Sequence, residues 1–278
     1  MSTINIYINR ILENIEKIDS FMKKHNKKWT IVNKILGSNR EILKEIINSE
    51  ILNSNNTSID SVADSHLSGL QIVKELNPKL KTMYIKPTEL KYVEEVIRFA
   101  DISLNTSYET IIALNEKAKE LNKIHQVIIM IELGELREGV PLDNIIELYE
   151  KIYNLSNIKI IGLGTNLGCM YGIEPTYDNL SNLCSHKELL EEKFNTSLPI
   201  ISGGSSIALP LINKEALPEN INHYRIGEAV YNGTSPYRNK KFMDLSTDTF
   251  ELKANIIELY KKSNKPLGII SHSNIGHT

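Results

Sequence analysis

The sequence predicts an α/β protein, a (β/α)8 TIM barrel followed by a short C-terminal β extension. Three observations carry that expectation. Strand-period and helix-period stretches alternate along the chain, which disfavours separate all-β and all-α domains. Eight strand candidates fall within about 230 residues, the usual length of this barrel, whereas a doubly wound open sheet normally has fewer strands. Polar or glycine-rich residues also recur where these strands end, which is where barrel enzymes place their sites.

The elements follow in order. An amphipathic helix is read over roughly Ile8 to His25. In "KWTIVNKILGSN" (28–39) the run Thr30, Ile31, Val32 reads as a buried strand that ends at Lys34 and Gly37, and "REILKEIINS" opens the next helix. "SIDSVAD" (58–64) precedes "GLQIVKEL", "KTMYI" (81–85) precedes "ELKYVEEVIRF", and "DISL" (101–104) precedes "YETIIALNEKAKEL". "QVIIMIEL" (126–133) is followed by "DNIIELYEKIY", and "IKIIGLGTN" (158–166) by a polar helical stretch ending near Phe194. "LPIIS" (198–202) and "NHYRIG" (222–227) complete the eight. The barrel domain is assigned to residues 1–236 and the extension to 237–278. In the extension, "SPYRNKKFMDLSTD" reads as a polar linker, and Phe250, Leu252, Ala254 and Ile256 alternate as in a strand.

Bulk properties narrow the function. At 278 residues the chain can bury its own core, and a net charge of -2 with a pI near 6.4 offers no general basic field for nucleic acid or an anionic membrane. The opening "MSTINIYINRILENIEK" lacks the charged and apolar regions of a signal peptide, and no apolar run approaches eighteen residues, so a cytosolic location is expected. Cys169 and Cys184 are too few for a disulfide framework, no CxxC or HExxH spacing occurs, and no metal is expected.

The candidate site follows from barrel geometry. In "ISGGSSIALP" (201–210) two glycines allow a turn to present its N–H groups, and two serines add hydroxyls, a combination suited to phosphate. Alone, this is also an ordinary Gly-Ser turn with a helix cap. "RIGEAVYNG" (225–233) supplies a second such turn, and the loops after strands seven and eight form the recurrent phosphate pocket of barrels. A phosphate pocket with Lys34 on the same rim suggests pyridoxal 5'-phosphate. Its aldehyde needs a neutral amine, while a free lysine has a pKa of about 10.4; burial at the strand end among apolar neighbours would disfavour the ammonium. A snorkelling surface lysine remains the alternative for Lys34.

These residues resemble the alanine-racemase-type, fold type III pyridoxal-phosphate enzymes, and within them the ornithine racemase-like branch of amino-acid racemases. The resemblance covers about Ile6 to Pro236 and rests on Lys34, "VADSHLSGL" (62–70), "IELGELREG" (131–139), "GLGTNLGCMYG" (162–172), "ISGGSSIALPLI" (201–212) and "INHYRIGEAV" (221–230). It implies that Lys34 holds pyridoxal 5'-phosphate as an aldimine and exchanges the substrate α-proton. It places Arg225 against the pyridine nitrogen, and Arg137 near the cofactor's phenolic oxygen or the substrate carboxylate. Gly204, Ser205, Ser206, Gly227 and Glu228 would hold the phosphate, with Asn166 and Cys169 lining the substrate side. Arg137 pairing only with Glu135 or Glu138 on a solvated turn is the bland alternative. A core position is likewise the bland alternative for Cys169, while His66 is expected as a helix cap and His223 as a structural residue.

The implied function is a pyridoxal-phosphate-dependent amino-acid racemase, with ornithine or lysine as the candidate substrate and a homodimer as the expected assembly. One departure matters. The family takes its second base from a C-terminal β-domain, and roughly forty residues cannot build one; Ser271, His272 and His277 are the tail's weak substitutes. A non-catalytic carrier of the cofactor, similar to the single-domain homeostasis proteins, and a degenerate homologue that keeps only the fold therefore stay open.

Overall fold

A computed structural model describes residues 2–265 and 267–269. The chain forms two compact units, a large one over Tyr7–Thr249 and a small one that joins the chain ends. In the small unit β1 (Thr3–Ile6) pairs antiparallel with β12 (Phe250–Lys253). The large unit is a closed barrel of eight parallel strands: β2 (Lys28–Val32), β3 (Ile59–Asp64), β4 (Thr82–Tyr84), β5 (Ile102–Asn105), β6 (His125–Met130), β7 (Ile158–Gly164), β8 (Ile200–Ser202) and β9 (His223–Ile226). β9 closes on β2, with Thr30 opposite Arg225. All eight expected strands occur in the expected order.

Local sequence explains the helices between them. The first, Ile8–Lys24, buries Ile11, Ile15, Ile18 and Met22, spaced three or four apart on one face. Asn39 and Ser107 cap their helices through side-chain oxygens, and Thr176 forms a capping box with Asn179. Among the described residues no helix is long and apolar enough to cross a membrane.

Inside the barrel, side chains two apart on a strand share a face, and this stacks them in layers. Thr30, Ser61, Ser103, Ser202 and His223 are fully buried polar groups. Four of them bond to one another: Thr30 Oγ1 lies 2.6 Å from Ser61 Oγ and 2.9 Å from His223 Nε2, and Ser202 Oγ lies 2.9 Å from His223 Nδ1, while Ser103 Oγ lies 2.7 Å from His125 Nε2. One step along each strand stand Val32, Ala63, Asn105, Gly204 and Arg225. Two of these, Arg225 and Asn105, rest on a hydroxyl of the polar layer, Ser202 and Ser103 respectively. An apolar cluster that includes Val32, Ala63, Met83, Leu104 and Met130 fills much of the remaining interior.

Three expectations change. The segment after Pro236 is no mere polar linker: β10 (Thr234–Ser235) pairs with β11 (Lys240–Lys241), Phe242 and Leu245 are buried, and Asn14 fastens Ser246 by two hydrogen bonds. The alternation from Phe250 becomes a strand only as far as Lys253, and Ile256 and Ile257 stand exposed. The strand β1 had no clear signal, because four residues hold too little periodicity to separate from a helix start. Ser271, His272 and His277 lie outside the described residues.

Candidate active site

The strand ends on one face of the barrel surround a cavity of about 680 Å³. Of the expected site residues, Lys34, Arg137, Asn166, Cys169, Ser205, Ser206, Arg225, Gly227 and Glu228 all line it. Gly204 does not; it lies directly behind Ser205 and shapes the turn.

Lys34 opens a short 3-10 turn after β2, and the residue is exposed at the cavity mouth. That corrects the expectation of an amine buried among apolar neighbours: the chain leaves the strand at Asn33, so the side chain emerges past Val32 and is not packed between strands. Its ammonium makes no hydrogen bond or ion pair among the described residues. Beside it Tyr231 is buried, and its hydroxyl donates to Asn33 Oδ1. Burial first, and then the nearby Asp64, raise that phenol far above its ordinary pKa. Tyr231 was not singled out from the sequence, although it sits in the quoted "RIGEAVYNG".

The paired glycines after β8 have different reasons. A Cβ on Gly203 would lie 2.3 Å from Ile221 Cγ2, so that position excludes a side chain by contact. Gly204 has open space around it and a φ of +112°, a backbone region that other residues avoid. Together they turn the chain into Ser205, which lines the cavity with Gly227 and Glu228 from the turn after β9, and the backbone N–H groups of all three have no hydrogen-bond partner among the described residues. Ser206 Oγ accepts from Ala229 N–H at 3.2 Å, tying the two turns to each other. This donor set suits a phosphate dianion.

Arg225 is 6% exposed. Its Nη2 donates to the Thr165 carbonyl at 2.7 Å and its Nη1 to Ser202 Oγ. Burial lowers its pKa to about 10, which leaves it charged at neutral pH. His223 is buried and structural, as expected: desolvation and then Arg225 push it down to about 3, so the ring is neutral and passes a hydrogen bond to Thr30.

Arg137 and Cys169 come from the loops after β6 and β7. Arg137 pairs with Glu138 at 3.0 Å, and its Nη1 lies 2.8 Å from Cys169 Sγ. Glu135 does not pair with it. Its buried carboxylate instead accepts N–H groups from Gly168, Cys169, Tyr171, Gly172 and Ile173 at 2.7–3.3 Å. Burial alone would raise its pKa, but the donors from Tyr171, Cys169, Ile173 and Gly172 outweigh it and hold the carboxyl below its ordinary value. Cys169 is exposed in the cavity, so the core alternative does not apply. His66 occupies the cap position of helix Leu67–Leu76, yet its side chain makes no cap bond and turns to Asp64, with Nδ1 3.3 Å from Oδ1.

The family model for the alanine racemase N-terminal domain matches residues 6–236. The chain belongs to this family. It is 38% identical over 275 residues to an ornithine racemase of Acetoanaerobium sticklandii, an alignment that covers 99% of this chain and 75% of that protein. It is 35% identical over 182 residues to a lysine racemase of Thermotoga maritima, covering 66% of this chain and 50% of that one. Among solved structures, an alanine racemase of Clostridium difficile in complex with cycloserine superposes with a TM-score of 0.63 at 19% identity. That superposition covers 91% of this chain and 65% of the other, and at this identity it supports the barrel fold alone. The chain thus spans between half and three quarters of these longer proteins.

Proposed function

We propose that this family member is a pyridoxal-phosphate-dependent amino-acid racemase. One observation carries the reading: Lys34, without an ionic partner, shares a single cavity with a phosphate-type donor set and a buried, charged Arg225. The donors fit the cofactor's parts. Ser205, Ser206 and the N–H groups of Gly227 and Glu228, shaped by Gly204, would hold the phosphate; Arg225 would donate to the pyridine nitrogen; and Lys34 would hold the aldehyde carbon. Pyridoxal phosphate, when bound, supplies an electron sink that acidifies the α-C–H of an amino acid.

The chain's own residues would do the rest. Lys34 Nζ accepts the α-proton on one face of the substrate and returns it. Arg137, fixed by Glu138, presents a guanidinium to the substrate carboxylate or the phenolic oxygen. Arg225 is always a donor and never a proton source to the ring nitrogen. It therefore keeps the ring a moderate sink, which favours return of the proton over further reaction. Asn166 and Cys169 would border the substrate.

Two measurements test this. Adding pyridoxal phosphate to the purified protein should give a visible absorption band that Lys34→Ala abolishes; a wild type that remains colourless overturns the proposal. In deuterated water the holoprotein should exchange the α-proton of a single amino-acid enantiomer and form its mirror image. Exchange with retention would show one working base, and no exchange would leave a cofactor carrier.

A further inference from the structure

We propose that Tyr231 and Asn33 form a strut between the two places that would hold the cofactor, the phosphate donors after β9 and Lys34 after β2, which makes Tyr231 a positioning residue for the bond at Lys34. This rests on reading the main cavity as a pyridoxal-phosphate site.

β9 and β2 are the pair that closes the barrel, and their ladder runs from Lys28 opposite His223 to Ile31 opposite Ile226. Past the ends of these strands no backbone hydrogen bond joins the two following segments among the described residues. Each segment carries one anchor. After β9 come the N–H groups of Gly227 and Glu228 and the short helix Glu228–Asn232. After β2 come Asn33 and the 3-10 turn that Lys34 opens. A side-chain bond spans the gap, the Tyr231 hydroxyl donating to Asn33 Oδ1.

Both ends of that bond are fixed. Tyr231 N–H donates to the Gly227 carbonyl at 3.1 Å, one helical turn back, and the Tyr231 carbonyl accepts from Thr249 Oγ1. Asn33 N–H donates to the Ala63 carbonyl at 2.8 Å, and the Asn33 carbonyl accepts from Leu36 N–H at 2.9 Å, which closes the turn bearing Lys34. The two side chains meet away from water, each residue being 1% exposed, where a hydrogen bond is stronger than at a surface. The segments also touch directly, since a Cβ on Gly227 would lie 3.1 Å from the Val32 carbonyl oxygen.

The chemistry needs a fixed spacing. Lys34 Nζ must meet the aldehyde carbon, with loss of one water, while the same molecule is held by its phosphate. If the two anchors stand at a set distance, the second contact is made within one complex, and an error of about 1 Å in that distance costs up to about a hundredfold. Tyr231 acts through Asn33 and the turn behind it, so its loss should disturb the bond at Lys34 and spare the grip on the phosphate.

The test compares two ligands on the full chain freed of cofactor. Pyridoxal 5'-phosphate is titrated by its visible band. 4-Deoxypyridoxine 5'-phosphate, which has the same ring and phosphate but a methyl in place of the aldehyde, is titrated by calorimetry. Tyr231→Phe should weaken the first by about tenfold or more and leave the second as it was. Should Tyr231→Phe fail to fold with Asn33 unpaired, the double variant Asn33→Leu/Tyr231→Phe removes both partners and leaves no buried polar group behind; the same change in ratio is expected. Lost packing alone would weaken both ligands together, so an equal loss, or no loss, overturns the proposal. A wild type without the band overturns it along with the cofactor reading, whereas a wild-type band with an unchanged ratio in the folded variants removes the strut alone.

Discussion

Arg225 keeps a full charge inside the barrel because two acceptors meet its guanidinium, and one of them, Ser202 Oγ, also serves His223. The neutral ring of His223 donates from one nitrogen and accepts at the other, held between Ser202 Oγ and Thr30 Oγ1. Removing the hydroxyl would leave a buried guanidinium N–H and a buried imidazole nitrogen unpaired. Ser202→Ala should therefore destabilise the fold by about 2 kcal/mol, read as a lower midpoint in chemical unfolding, and weaken cofactor binding as Arg225 loosens. The sequence made Arg225 legible, because "YRIG" places an arginine at a strand end. Ser202 was not, because a serine in an apolar strand carries no mark of what it bonds.

At the scale of elements, the loops after β6 and β7 are held by carboxylates. Glu132 accepts the N–H groups of Gly134, Leu136 and Arg137, folding its own loop, and Glu135 folds the neighbouring one across 33–38 residues of chain. This places Arg137 against Cys169. Glu135→Gln should be nearly as harmful as Glu135→Ala, since an amide offers one acceptor oxygen and turns N–H groups toward donors. Both variants should raise hydrogen exchange at residues 168–173 by about tenfold or more, with a global loss of about 1–3 kcal/mol. Unchanged protection there would show that the loop holds without the carboxylate. Barrel strands and helices were legible because their periodicities are local. Glu135 figured in the sequence only as one alternative partner of Arg137, because its actual partners are far along the chain and are backbone groups, which no residue type advertises.

For the whole molecule, the buried imidazoles set a pH dependence of folding. Burial holds His125 near 4 and His223 near 3, against an ordinary value of 6.5. Below pH 6.5 the unfolded chain binds protons that the folded chain refuses, so stability falls as pH drops and is fully present only above that value. Each histidine contributes a slope of up to about 1.4 kcal/mol per pH unit, and the pair should cost about 3–4 kcal/mol between pH 7.5 and pH 5. His25, also lowered by burial, acts in the same direction, whereas Asp64, raised by burial, offsets part of the loss. Carboxylates held low, such as Glu135 and Glu191, add their own loss only below their ordinary value of 4.5, so the interval from pH 5 to 6.5 reports the imidazoles. Urea unfolding across that interval measures the slope directly. Replacing His125 with glutamine, whatever it costs at neutral pH, should remove close to half of the slope; a slope that stays the same would mean that His125 is protonated in the folded barrel and that the Ser103–Asn105 chain above it is not set by a neutral ring.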